Sequence, residues 1–302
     1  MDGQNPPLLS AIVPISRMAG RLERLTEWLS DHSAKNLEII LVHDIQDEAT
    51  GREIDNVIRS LDYKATIIEC FAGNPGSARN VGLRAATGQW VVFWDSDDCP
   101  DVEETLKCLK SNSQDMDLII GSFTWISEIT AEKNRSAKFP SKIEDALINV
   151  GLNPGIWRMI FRRNFIRETE FYPFKMAEDQ IFIAEILAKN PRIVFSEENL
   201  YNYYFGSSNH QVNNHQARLD LIYTFKICTY MYNQNLPHKN DFIATILIRQ
   251  FFSIQKFLPL KHKLDSTITL IRFMVTNKFK IAKTSVVMLS LLGGNRSHKY
   301  GR

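Results

Sequence analysis

Four short apolar runs, each separated from the next by a stretch of helical periodicity, fill the first hundred residues and leave few folds open to this chain. Ser10 to Pro14, Glu38 to His43 and Ala65 to Cys70 read as strands, and the fourth run, Trp90-Val91-Val92-Phe93-Trp94, is unbroken by any polar residue. Between them, Leu22, Leu25, Trp28 and Leu29 recur at helical spacing, as do Ile54, Val57, Ile58 and Leu61. A third helix is predicted through Ala78 to Ala86, after the loop Gly73 to Ser77, with Ser77 near its start as the N-cap. Strands alternating with helices in this way imply a parallel sheet flanked by helices.

The fourth run stops abruptly at Asp95-Ser96-Asp97-Asp98. In open α/β sheets ligands bind outside the carboxyl ends of the strands, so these acids face a crevice. Asp95 and Asp97, two apart, can share a hard cation between oxygen ligands. Magnesium or manganese suits such a site, held by one or two carboxylates and substrate phosphates. Taken alone, the same residues read equally as turn formers.

Their neighbours narrow the reading. Gly76-Ser77-Ala78-Arg79-Asn80-Val81-Gly82 precedes the acidic strand, the first strand carries Pro14, and the second ends on Asp44. Downstream stands Met176-Ala177-Glu178-Asp179-Gln180. In this order and spacing, over about residues 8 to 205, the chain resembles the family 2 glycosyltransferases. The resemblance implies the GT-A fold, Rossmann-like with a mostly parallel central sheet flanked by helices. It further implies inverting transfer of a sugar from a nucleotide diphosphate donor to a hydroxyl of a glycan or lipid-linked acceptor, in cell-envelope polysaccharide synthesis. By the same resemblance Asp44 bonds the base or ribose, and Pro14, Arg79, Asn80, Asp95 and Ser96 line the nucleotide. Asp97, with Asp95, holds Mn2+ or Mg2+, and Asp98 assists. Asp179, beside Glu178, is the general base that takes the acceptor proton.

Some residues depart from the family. Its two adjacent acids followed by Gly-Ser are here His43-Asp44-Ile45-Gln46. That leaves a non-catalytic nucleotide-sugar-binding relative, acting as partner or scaffold, as the alternative. A sugar-nucleotide nucleotidyltransferase would want a glycine-rich basic loop after the first strand, and Ile15 to Arg21 has too few glycines to supply one.

The length, 302 residues at 44% hydrophobic and 23% charged, suits a soluble globular protein of one domain or a domain and a half. We expect a glycosyltransferase domain over 1–212, with its nucleotide-sugar half at 1–100 and its acceptor half at 101–212. A helical, basic region over 213–302 follows. Cys70, Cys99, Cys108 and Cys228 lack metal spacing and fit a reducing compartment. Met1 to Pro7 has no apolar signal core, and no run approaches the roughly 20 apolar residues of a membrane span. A cytoplasmic location, peripheral at the inner membrane face, is expected. From Lys256 to Arg302 ten basic residues stand against Asp265 alone, a local balance of +9 against −7 before it. Such asymmetry suggests a tail for an anionic membrane surface or another anionic partner, with apolar faces in 242–258 and 281–292 beside it, or equally a solvated helical tail that is cationic; no nucleic acid partner is expected. Residues 130–142 read as a loop that could cover the site, Trp157 and Arg158 as acceptor-side residues, and His210 and His215 as residues that some family members use as ligands.

Overall fold

The structure, a computed structural model, describes residues 7–112, 115–136, 138–206, 216–232 and 239–276. By its contacts the chain divides into two compact units that interleave in sequence. The first comprises Met1–Lys138, Ile156–Pro173 and Pro191–Phe205, and the second Phe139–Gly155, Phe174–Asn190 and Gly206–Arg302. Residues 139–155 and 174–190 thus go with the C-terminal helices. Between these two segments the chain returns to the sheet as Ile156–Pro173, and after them as Pro191–Phe205.

The first unit is built on a single sheet. Its strands are β1 (Leu9–Ile15), β2 (Glu38–Asp44), β3 (Thr66–Cys70), β4 (Trp90–Phe93), β5 (Cys99–Pro100), β6 (Leu118–Ser127), β7 (Lys133–Arg135), β8 (Met159–Arg162) and β9 (Ile193–Phe205). Their order is β3-β2-β1-β4-β8-β6-β9-β5, with β7 paired to β6. β1 to β4 are mutually parallel, and β6 and β9 run the same way, while β8, β5 and β7 oppose their neighbours. The helices between them are α1 (Glu23–Leu29), α2 (Glu48–Arg59), α3 (Pro75–Ala85) and α4 (Val102–Asn112). The four apolar runs of the sequence are thus the four parallel strands.

One face of the sheet forms a continuous core through Leu9, Ala11, Val13, Leu41, Trp90 and Val92 with Leu25 and Trp28 of α1. Against the other, α3 lies so close to β1 that a Cβ on Gly82 would stand 2.3 Å from Ile12 Cγ2. Gly82 therefore serves helix-on-sheet packing, where any side chain overfills the interior. The N-cap of α3 is Asn74, whose side chain accepts from the Ser77 N–H at 2.8 Å, with Pro75 at the first helical position. Pro there is pre-set for the helix and forgoes an N–H that has no partner anyway. The cap thus lies three residues before the predicted Ser77. At the amino end of the sheet, Glu38 accepts hydrogen bonds from Ser10 Oγ, Thr87 N at 2.8 Å and Thr87 Oγ1 at 2.7 Å.

Residues 130–142 do not form the loose loop that their polarity suggested. β7 pairs with β6 from Thr124↔Arg135 to Ile126↔Lys133, and Ser122 Oγ and Ser136 Oγ lie 2.7 Å apart. Lys138 pairs with Glu197 at 2.9 Å.

The second unit is helical: α5 (Ile143–Leu152), α7 (Glu178–Ala188), α8 (Asp220–Tyr232), α9 (Lys239–Phe257) and α10 (Leu260–Thr276), the short α6 (Arg163–Ile166) belonging to the first. α9 is its axis, touching α5, α7, α8 and α10. Phe242, Ile243, Ile246, Leu247 and Ile254 are buried. The apolar face of 242–258 is therefore core, not a membrane contact. Arg249 Nη1 donates to the Leu152 carbonyl at 2.5 Å, placing a cation on the orphan acceptors at the end of α5. Among the described residues no helix is long and apolar enough to cross a membrane. The 281–292 segment, His210 and His215 lie outside the described residues.

Candidate active site

β4 ends at Phe93, and the next residues form a turn held from several sides. Asp95 N–H donates to the Tyr201 hydroxyl at 3.0 Å, and Asp98 Oδ1 accepts from Tyr204 N–H at 2.7 Å. Arg24 Nη1 donates to the Asp97 carbonyl at 2.8 Å while its other arm pairs with Glu128 at 2.6 Å. Arg24 also lies 3.8 Å from the centre of the Tyr204 ring. The backbone of the turn is thus fixed, while the carboxylates of Asp95 and Asp97 are partly exposed.

Asp98 has a different task from its neighbours. It is fully buried, and burial first, then the charges of Asp97 and Asp95, push its carboxyl well above the usual carboxylate range. It ties the turn to β9. Ser96 is also buried. Behind the turn, Trp157 stacks on Tyr201 at 4.5 Å and on Tyr203 at 5.3 Å, with Phe123 edge-on at 4.6 Å. Trp157 is a structural support and not an exposed platform for a sugar. Arg158 is buried against the Phe123 ring, 4.8 Å from its centre, and burial pulls its guanidinium down to about 9.

Arg79, on α3, is buried and donates from Nη2 to Asp95 Oδ1 at 2.8 Å. A charge-assisted bond of this kind is stronger than a neutral one and fixes both partners. Asn80 is a clamp: its Nδ2 donates to the Phe171 carbonyl at 2.8 Å and its Oδ1 accepts from the Phe171 N–H at 2.7 Å. Phe171 in turn packs 5.5 Å from the Arg79 guanidinium. The Arg-Asn pair therefore divides its labour, one residue facing the acidic turn and the other fixing the chain behind it.

Asp44 ends β2. Its Oδ2 accepts from Gly73 N–H at 2.9 Å, joining β2 to the loop after β3. His43 explains its own departure from the family. It is buried, its Nε2 lies 3.0 Å from the Asp47 carbonyl oxygen, and Gly51 of α2 leaves the space its ring fills. A Cβ on Gly51 would stand 2.7 Å from His43 Cε1. His43 is a packing residue joining β2 to α2. Pro14 lies on β1 beyond Ile12, the last residue paired with β4.

Glu178 and Asp179 belong to the second unit, in the first turn of α7. Ala177, immediately before them, has the left-handed φ of 65°, which places the pair at a sharp entry into the helix. Glu178 is buried, while Asp179 is partly exposed, its Oδ1 accepting from Gln180 N–H at 2.8 Å. The helix N-terminus favours anionic side chains at these positions. Gln180 is held by Gln250 Nε2 of α9 at 3.0 Å.

The sequence assigned no role to Arg24 or Phe171, and read Tyr201 only as part of residues 200–205, the segment closing the catalytic core. For Tyr201 there was a signal: positions 201 and 203 fall on one face of a strand, two aromatics pointing the same way. Arg24 and Phe171 carry none.

The site is thus an acidic turn at the carboxyl end of a parallel strand, with a buried arginine fixed against it. The chain belongs to glycosyl transferase family 2, whose family model matches residues 10–177. The poly(ribitol-phosphate) β-N-acetylglucosaminyltransferase TarS of Staphylococcus aureus is 25% identical over 270 residues, 85% of this chain and 46% of that protein. Glycosyltransferase GlyA of Streptococcus pneumoniae is 23% identical over 211 residues, 65% of this chain and 30% of that protein. The chain thus spans less than half the length of these relatives. Among solved structures, TarS 1–349 in complex with UDP-GlcNAc aligns with a TM-score of 0.63 over 95% of this chain and 92% of that one, at 18% identity. The mannosyltransferase PcManGT from Pyrobaculum calidifontis, in complex with GDP-Man and Mn2+, aligns at 0.56 over 98% and 89%, at 13% identity. At these identities the likeness is one of fold, and that fold is GT-A.

Proposed function

We propose that this chain transfers a single sugar, with inversion, from a nucleoside diphosphate donor to a hydroxyl of a cell-envelope glycan or lipid-linked acceptor on the cytoplasmic side. Family membership supports the class of reaction. The observation that carries the reading is the turn after β4, where the Arg79–Asp95 pair and the partly exposed Asp97 stand on a backbone already fixed by Tyr201, Tyr204 and Arg24. A site ordered before the substrate arrives spares the ordering cost at the moment of reaction.

Asp44 takes the base or ribose in this reading, with Pro14, Arg79, Asn80, Asp95 and Ser96 along the nucleotide. Asp97 and Asp95 fit a magnesium or manganese ion, being hard oxygen donors two residues apart. Among the described residues no three His, Cys, Asp or Glu side chains are grouped to hold a metal ion, so the donor's phosphates and water would complete its shell. When bound, the cation neutralises charge developing on the departing diphosphate. Asp179 accepts the acceptor hydroxyl proton in this reading, from the first turn of α7, where an acidic side chain is favoured. Glu178, buried beside it, completes the catalytic pair in this reading.

The name of TarS and its complex with UDP-GlcNAc make UDP-GlcNAc the first donor to try. Incubation with a panel of nucleotide sugars and manganese, with release of nucleoside diphosphate as the readout, tests the reading. Turnover of one donor well above the others is expected. Failure of every nucleotide sugar to bind or turn over removes it.

A further inference from the structure

α10 carries an apolar stripe on the side that faces solvent. Leu260, Leu264, Ile268, Ile271 and Val275 are each between 50% and 75% exposed. At about 100° per residue they fall within a sector of roughly 80°, and the stripe runs about 22 Å along the helix. Phe273 and Ser266, both buried, lie on the opposite side. The helix is anchored by Phe273 on that opposite side, which meets Tyr232 of α8 edge-on at 4.8 Å, and beside the stripe by Gln255 Nε2 of α9, which donates to the Lys263 carbonyl at 2.9 Å and to Thr267 Oγ1 at 3.0 Å. The outward stripe is therefore a second apolar face on a helix whose first face is already packed. A continuous exposed stripe of this kind marks an interaction surface.

Charge identifies what covers it. Exposed Lys261 and Arg272 flank the stripe along one edge, and Asp265, the sole acid of the helix, is paired with Lys226 at 3.3 Å. Lys256 stands just before the helix, and from there to Arg302 the sequence holds ten basic residues against that one acid. A second copy of the chain packed antiparallel on this face about a two-fold axis would bring the same basic edge against itself. A sugar-phosphate polymer would satisfy the charges but offer nothing to the five aliphatic side chains. A bilayer with anionic headgroups satisfies both, the aliphatic residues entering the boundary region while the basic edge meets the phosphates.

We infer that α10 is a membrane-docking helix that lays Leu260, Leu264, Ile268, Ile271 and Val275 onto an anionic lipid surface. The inference is independent of the sugar-transfer reading, since none of these residues belongs to the candidate site.

Sedimentation of the full chain with vesicles tests it, comparing phosphatidylglycerol–phosphatidylcholine mixtures with phosphatidylcholine alone. The wild type is expected in the pellet with the anionic vesicles only. Each basic residue near such a surface is worth about fivefold in partition, so Lys261→Glu combined with Arg272→Glu should lower binding at least about 25-fold. Leu264→Glu, Ile268→Glu and Ile271→Glu together should abolish it, with thermal melting and donor turnover at wild-type levels. Should the triple variant melt early, the charge variant, altered only at exposed positions, decides. The inference is overturned if the wild type stays in the supernatant with anionic vesicles, or if the folded variants pellet like wild type. It is equally overturned if light scattering shows a wild-type dimer that the triple variant dissociates.

Discussion

The hydroxyl of Tyr201 lies 3.0 Å from the backbone nitrogen of Asp95 and accepts its hydrogen, so a residue 106 positions further along the chain fixes the start of the acidic turn. The same hydroxyl bonds Asp98. Tyr201→Phe keeps the stack on Trp157 and removes only the oxygen. Loss of a buried hydrogen bond costs about 1–3 kcal/mol when a partner is stranded, so the melting temperature should fall by several degrees. If the hydroxyl holds the turn for a cation, manganese titration of donor turnover should also shift to higher concentration. An unchanged manganese requirement would reduce Tyr201 to a packing residue.

The parallel strands β1, β2 and β4 were legible because they are buried along nearly their whole length and so read as apolar runs. β8 and β9 were less so, since strands such as Ser196-Glu197-Glu198-Asn199 interrupt the apolar pattern at a register shift between β6 and β9. Asp44, Arg79, Asp95 and Asp97 could be picked out from local motifs. Their supports could not, because Tyr201, Arg24 and Phe171 act across the sheet through partners that spacing does not reveal. Residues 130–142 were read by polarity, whereas pairing of β7 with β6 orders part of them. The packing of His43 against Gly51 of α2 carries no local signal in the sequence. The apolar run 242–258 shows the converse: periodicity finds the face but not what covers it.

The carboxylates of the turn should make turnover depend on a divalent cation. Asp97→Ala is expected to lower activity by about 10²–10³-fold, the range for removing one electrostatic stabiliser of a developing anion. EDTA should do the same to the wild type, with recovery on adding manganese. Since Asp97 is partly exposed, the variant should melt near wild type. Full activity in chelator would exclude the cation.

Glu38 makes stability depend on pH at the acid end. Burial raises its pKa, but hydrogen bonds from Ser10, Thr87 and Gly88 outweigh that and hold it below its ordinary value of 4.5. A depressed carboxylate stabilises the fold fully above its unfolded pKa, and that contribution is lost as pH falls through the folded value. Denaturant unfolding should therefore show a contribution that is level above about pH 5 and declines below 4.5. Glu38→Gln should flatten the decline. An identical slope in the variant would locate the acid sensitivity elsewhere, with Asp117, held low by Arg192 against its own burial, the next to replace.

Gly82→Ala tests the seating of α3. The added methyl group would meet Ile12 Cγ2 at 2.3 Å and Val42 Cγ2 at 3.2 Å, both in the sheet. Alanine favours helix by about 1 kcal/mol over glycine, yet overpacking typically costs 1–3 kcal/mol, so net destabilisation is expected. Because α3 carries Arg79, donor affinity should drop with it. A gain in stability would mean that the helix can lift off the sheet without loss.

The division between donor binding and proton removal is open to a paired test. Asp179→Asn keeps the shape of the side chain and the bond from Gln180 N–H but removes the charge that accepts a proton. General base catalysis contributes about 10²–10⁴-fold, so transfer to an acceptor should collapse by that factor while donor affinity stays near wild type. Asp44→Ala should act in the opposite order. It strands the Gly73 N–H, loosens the loop after β3 and weakens nucleotide binding before it affects the chemical step. The contrast between the two variants carries the argument, because misfolding would damage affinity and turnover together in either one. Isothermal titration with nucleoside diphosphate and single-turnover transfer give the two readings separately. Normal transfer by Asp179→Asn would assign the base elsewhere. Loss of donor affinity in that variant would instead make Asp179 part of the donor site.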